Sequence, residues 1–178
     1  MTQAWQIRPF CVGDEAALRK VFHASVHGLA HPFYTPAQLQ AWAPADYDSQ
    51  AWSERMRANR PWVAETADGA IAGFADLQPD GTIDMFFVAP AFARQGVARA
   101  LMARLHARAS QQGLRHLKAY VSLAAEPFFT AQGFVVEARQ AVERAGIVLH
   151  NARMGKSLSQ RQFATHLIAI CAYSLCAC

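Results

Sequence analysis

Short alternating runs and longer stretches of helical spacing divide this chain. Residues 4–10 (Ala-Trp-Gln-Ile-Arg-Pro-Phe) read as a first strand. Gly13 and Asp14 open a helix, with Asp14 the expected N-cap. Leu18, Val21, Phe22, Ser25 and Val26 fall at helical spacing and form its inward stripe. After a break at 28–33, Thr35-Pro36-Ala37-Gln38 has the form of a capping box with Pro at the first helical position. That short helix runs through Ala43 and ends at Pro44, and a third helix is predicted over 48–59.

Three strands follow at 62–66, 70–78 and 82–88, joined by the hairpin turns Asp68-Gly69 and Pro79-Asp80-Gly81. Val97, Leu101, Met102 and Leu105 mark the inner stripe of a long helix ending near Gly113, with Arg104 and Arg108 on a solvated face. Residues 114–121 read as a strand. Pro127, tolerated in a first turn, places a helix start at 124–126, and Gly133 stops that helix. Residues 134–142 and 146–154 form a closing hairpin.

This order gives an α/β (α+β) fold: a mixed, mostly antiparallel sheet of six to seven strands flanked by helices, with one parallel crossover around the long helix. Of 178 residues, 53% are hydrophobic and 17% charged, which suits one globular domain with a full core, expected over 1–156. The tail 157–178 differs: it is almost wholly apolar beyond Arg161 and holds three of the four cysteines. Clustered in this way, the cysteines do not suggest a disulfide framework, and reduced thiols in a cytoplasmic protein are expected. No signal peptide is visible at the N-terminus, and no run reaches the ~20 apolar residues of a membrane span, so no membrane partner is expected. The net charge of +4 is spread along the chain and indicates no nucleic-acid partner. The seven histidines show no metal-ligand spacing, so no metal is expected. A monomer or a homodimer both fit.

The chemistry centres on Val88-Ala-Pro-Ala-Phe-Ala-Arg-Gln-Gly-Val-Ala-Arg-Ala-Leu-Met102, an apolar strand running through a turn into an Ala-rich helix. Gly96 lets a ligand approach the backbone, and the amides of Gln95, Gly96, Val97, Ala98 and Arg99 are the unpaired donors of a helix N-terminus. Arg94 and Arg99 add positive charge. The loop reads as a cradle for a diphosphate.

A second block, Ser122-Leu-Ala-Ala-Glu-Pro-Phe-Phe-Thr-Ala-Gln-Gly-Phe134, completes the pattern. Together the two blocks resemble the GNAT superfamily of acyl-CoA-dependent N-acetyltransferases. Val88, Pro90, Gly96 and Ala98 match its diphosphate loop, and Ser122, Ala125, Phe128, Gly133 and Phe134 match its later motif. Tyr34–Ala43, Trp62–Glu65 and Ile83–Val88 resemble the YafP-type bacterial members of that superfamily. The resemblance implies a sheet splayed between its fourth and fifth strands, with acetyl-CoA as co-substrate in the gap. It also implies transfer of the acetyl group to a primary amine of a small molecule or peptide by direct attack. Two positions depart from the pattern. Ala93 replaces a Gln or Arg that contacts phosphate, and Phe129 replaces the Tyr that many members use to protonate the leaving thiolate. The second departure keeps open a non-catalytic acyl-CoA-binding sensor as the alternative.

The resemblance assigns Phe86, Phe87 and Val88 to the thioester carbonyl and the pantetheine arm. It also sets Ser122, Phe128 and Phe129 beside the cofactor. Asp84 is the expected general base, because a carboxylate inside Ile-Asp-Met-Phe-Phe-Val is costly to bury without a partner, and burial raises its pKa. An ion pair with Arg8 or Arg57 is the structural alternative for Asp84. Tyr120, which shares a strand face with Ser122, is the first candidate acid, and Tyr34 is the second. His31, Phe33, Tyr34 and Trp42 are expected to line the acceptor side.

Overall fold

The computed structural model describes residues 5–158. In chain order these form β1 (Trp5–Pro9), α1 (Glu15–Leu29), α2 (Pro36–Trp42), α3 (Ser49–Asn59), β2 (Trp62–Thr66), β3 (Ile71–Ala75), β4 (Thr82–Ile83) and β5 (Phe86–Val88). After a 3-10 turn at Pro90–Phe92 come α4 (Val97–Gln111), β6 (His116–Ser122), α5 (Glu126–Ala131), β7 (Val135–Arg144) and β8 (Ile147–Ser157). The expected fold class is present as two four-stranded sheets, ordered β1-β2-β3-β5 and β4-β6-β8-β7. Every pairing is antiparallel except β4 with β6. The closing hairpin is longer than its expected bounds, and Leu158, just after β8, is buried. The expected tail lies outside the described residues from 159 onward.

Local sequence explains most of the boundaries. At α2 the capping box is complete: Gln38 N–H donates to Thr35 Oγ1 at 3.3 Å, and Thr35 N–H donates to Gln38 Oε1 at 2.9 Å. Asp48 caps α3 by accepting from Ala51 N–H at 2.9 Å. Asp14 stands at the N-cap of α1 as expected, but its side chain does not cap. It accepts instead from Arg8 at 2.7 and 2.9 Å and from Cys11 N–H at 2.8 Å. Arg8 also grips Glu65 of β2, so one guanidinium ties two strands to the start of α1.

Two apolar clusters sit on opposite faces of the first sheet. On one face Leu18, Phe22 and Val26 of α1 pack with Trp52 and Met56 of α3 against Val63 and Phe74. On the other, the predicted stripe Val97, Leu101, Met102 and Leu105 of α4 packs against Ala64 and Ala75. Gly73 permits that approach, because a Cβ there would lie 2.8 Å from Phe87 O and 3.2 Å from Val97 Cγ1. Arg104 and Arg108 are exposed, as expected of a solvated face, and the Arg104 guanidinium lies 3.8 Å from the centroid of the Trp62 ring.

The run expected as one strand over 82–88 breaks at Asp84-Met85. Its first part joins β6 in one sheet, and its second joins β3 in the other. The break takes two amides out of the ladder, and Asp76 accepts both. Its Oδ1 lies 2.8 Å from Asp84 N and 3.1 Å from Met85 N. Asn59 of α3 donates to its other oxygen at 2.5 Å. Asp76 is only 1% exposed, and burial pushes its carboxyl up to about 6 against the relief of these donors.

A folded-state pKa above the ordinary 3.8 means that Asp76 favours the folded chain most when protonated. Its contribution is complete below about pH 4 and is lost as the pH rises through 6, on the order of 3 kcal/mol. Wild type therefore loses stability relative to Asp76→Asn between pH 4 and 7. Denaturant titrations across that range test this, and parallel profiles for the two proteins would contradict it.

Candidate active site

The loop between β5 and α4 has the geometry of an anion cradle. Arg94 and Gly96 both take left-handed backbone angles, φ 61° and φ 90°. A Cβ on Gly96 would meet nothing nearer than Trp5 Cζ2 at 4.0 Å, so the backbone angle, not space, demands glycine there. The first α4 bond runs from Ala100 N–H to Gly96 O. Among the described residues, the amides of Arg94, Gly96, Val97, Ala98 and Arg99 have no partner. Gln95 differs from expectation: its amide turns inward to Phe92 O at 3.4 Å, and its side chain donates to Ala91 O at 2.7 Å. Val97 is buried, whereas Arg94 and Arg99 are exposed beside the open amides. This set fits the two phosphates of a coenzyme A diphosphate.

The same break that engages Asp76 frees an edge of β5. Ala89 N–H donates to Ala72 O, and Phe87 pairs with Phe74 two residues earlier. Alternation along an antiparallel ladder therefore turns the Phe87 amide toward β3 and the Phe86 and Val88 amides toward the gap. Of the three expected residues, Phe86 and Val88 present open amides, while Phe87 contributes its ring to the cavity on the acceptor side. Phe128 and Phe129 brace this edge. Their rings lie 5.5 and 5.4 Å from that of Phe86, and Phe129 is buried against Phe134 at 5.1 Å.

A cavity of about 380 Å³ opens beside the gap. Six expected site residues line it: Asp84, Phe87, Tyr120, Ser122, Tyr34 and Trp42. His31 and Phe33 do not. His31 Nδ1 bonds Gly28 O at 3.0 Å, and Phe33 is half exposed elsewhere. The cavity also takes Phe22 from α1 and Arg55 from α3. The β7–β8 hairpin adds Gln140, Val142, Arg144, Leu149, His150 and Asn151. No local pattern marks these residues, because long-range packing assembles the wall.

Asp84 is not the buried carboxylate its neighbours suggested. It sits at the strand break with a side chain 35% exposed, because the chain turns there from one sheet to the other. Its partner is neither Arg8 nor Arg57 but Arg55, which reaches both carboxylate oxygens at 2.9 and 2.8 Å. Asn59 adds a third donor at 2.7 Å while also holding Asp76. The buried acid of this segment is Asp76. An Asp four residues before the turn Asp80-Gly81 carried no pattern that set it apart.

Tyr34 ties the cavity wall together. Its hydroxyl donates to His150 O at 2.6 Å and accepts from Leu123 N–H at 3.0 Å. Burial pushes its phenol pKa up. The proton of Tyr34 is thus committed to β8. Tyr120 is 57% exposed on the open face of β6, and its hydroxyl has no partner among the described residues. Ser122 Oγ accepts from Ala125 N–H at 3.3 Å, closing the turn into α5.

A family model for the acetyltransferase (GNAT) domain matches residues 30–156. The chain belongs to the GNAT acetyltransferase family. It is 34% identical over 149 residues to the uncharacterized N-acetyltransferase YafP of Escherichia coli K12, a match covering 84% of this chain and 93% of that protein. The crystal structure of a GCN5-related N-acetyltransferase from Rhodopseudomonas palustris superposes with a TM-score of 0.82 at 32% identity, over 89% of this chain and 99% of that one. At 17% identity, and so in fold alone, it is similar to the PaiA N-acetyltransferase of Thermoplasma acidophilum solved with coenzyme A (TM-score 0.67; 86% and 99% covered). Within this GNAT chain, no helix among the described residues is long and apolar enough to cross a membrane. No group of His, Cys, Asp or Glu among them could hold a metal ion.

Replacing Tyr34 by Phe leaves Leu123 N–H and His150 O without their partner in a partly buried setting. The expected loss is about 1–3 kcal/mol of stability, read by urea denaturation. A change within experimental error would mean that the hydroxyl does not tie the entry of α2 to β8.

Proposed function

We propose that this GNAT enzyme is an N-acetyltransferase that binds acetyl-CoA across the β5–α4 loop and passes the acetyl group directly to a primary amine held in the adjacent cavity. The juxtaposition of the open Phe86 and Val88 amides with the Asp84-lined cavity carries this reading. The diphosphate rests on the amides of Arg94 and Gly96 to Arg99, with both arginines beside it. The free edge of β5 accepts the pantetheine arm as an added strand. A fixed backbone N–H at this edge holds the carbonyl oxygen and needs no reorganisation as negative charge grows there.

The incoming amine must be neutral to attack. Asp84, directly or through a water, takes its proton, and the donors from Arg55 and Asn59 hold the carboxylate in position. Phe129 has no proton to give. Tyr120, open to the cavity, is the donor for the leaving sulfur, and a thiol of pKa near ~8.5 is also a tolerable leaving group on its own. Trp42 and Phe87 wall the acceptor on the apolar side. The reading places the enzyme in the cytoplasm, where acetyl-CoA is supplied and Cys11 stays a free thiol. Family membership supports catalysis over the non-catalytic acyl-CoA sensor.

Asp84→Asn is expected to lower kcat about 100-fold or more while leaving the Kd for acetyl-CoA within about twofold. Kinetics paired with calorimetry test this, and equal losses in both would remove Asp84 from proton transfer. Gly96→Val is expected to raise the Kd for acetyl-CoA at least about tenfold, because the new residue resists the left-handed angle that presents the amides. Unchanged affinity would contradict the cradle.

A further inference from the structure

Among the side chains lining the acceptor cavity, three carry full charges: Arg55, Asp84 and Arg144. Arg55 and Asp84 cancel in their bidentate pair. Arg144 has no ion-pair or hydrogen-bond partner among the described residues, so the cavity keeps one uncompensated positive charge. No unpaired carboxylate in the wall could receive a second cationic centre. The remaining polar groups, His150 apart, carry no formal charge. The carboxamide of Asn151 has its Oδ1 buried without a partner, and it faces Gln140 across the β7–β8 ladder. An unsatisfied buried acceptor is uncommon.

Placement along the hairpin separates these features. Gln140, Val142 and Arg144 are alternate residues of β7 and line one wall. Asn151 pairs with both Gln140 and Ser122, at the end nearer the gap in the sheet. Arg144 stands at the β7–β8 turn, four residues along, or about 13 Å at the rise of an antiparallel strand. The cavity therefore has an amide-lined inner end and a cationic outer end.

From this we infer that the acceptor is a small amine that also carries a carboxylate several bonds away, its carboxylate gripped by Arg144 and its nitrogen turned toward Asn151 and Asp84. A guanidinium holds a carboxylate through a planar pair of donors, which an exposed lysine or a neutral side chain does not match. A di- or polyamine would bring a second positive charge to Arg144 and is disfavoured. The inference rests on the N-acetyltransferase reading and names its substrate class.

The test measures release of free coenzyme A thiol by the full chain with matched sets of amines. Each set has an ω-amino carboxylate (4-aminobutanoate or 6-aminohexanoate), its carboxamide, and the diamine of similar length. The carboxylate of at least one set is expected to show kcat/KM tenfold or more above its carboxamide and its diamine. In Arg144→Gln the KM for that carboxylate should rise about tenfold with kcat within twofold, the carboxamide should be unaffected, and Arg144→Lys should restore part of the loss. Equal or better use of the carboxamide or diamine overturns the inference, as does a carboxylate preference that survives in Arg144→Gln. Failure of every amino carboxylate also overturns it. Turnover of diamines alone would leave the acetyltransferase reading standing. That reading falls separately if acetyl-CoA gives no binding heat and no amine in any set releases thiol.

Discussion

The site depends on one buried carboxylate accepting two backbone amides. A strand that runs from one sheet to another must leave its ladder for at least one residue, and the N–H groups it abandons are costly if nothing meets them. Asp76 meets both with a single oxygen. Its other oxygen is held by Asn59 at the end of α3. This contact lets β4 remain with β6 while β5 stays with β3, and the gap between the sheets follows. The open amides of Phe86 and Val88, the exposure of Asp84 and the mouth of the cavity all follow from the same divergence. The carboxylate is expensive to bury, which is why its pKa rises even with three donors around it.

How much of this was legible in the chain depends on the range of the forces involved. Helix starts at Thr35 and Asp48, the stripe of α4 and the turn at Gly96 rest on local rules of capping, periodicity and backbone angle, and the structure follows them. The proposed diphosphate cradle belongs to the same class, because it is made of backbone in one stretch of sequence. Even there, local reasoning missed a detail: the Gln95 amide turns inward, and Arg94 takes the outward place.

The acceptor cavity obeys different rules. Its walls come from α1, α2, α3, the strand break, β6 and the closing hairpin, and side chains from distant positions meet there only after the sheets form. The expectation for Asp84 shows the limit. An acid in an apolar run argues for burial, provided that the run stays in one sheet. Here it leaves, so the acid surfaces and Asp76 takes the buried place.

Exposure also decides what the Arg55–Asp84 pair contributes. Both side chains keep solvent contact, 47% and 35%, and a pair of that kind adds little to stability after solvent screening. Its value is directional. Arg55 and Asn59 together engage both oxygens of Asp84 from α3, and the Asp84 amide is fixed to Asp76. The carboxylate is thus held at backbone and side chain alike, beside amides fixed by the same contact. In its proposed role as base, a carboxylate held in this way needs no rearrangement to meet an amine. Since Arg55 already neutralises it, the uncompensated charge of the cavity lies at the far end of the hairpin, on Arg144.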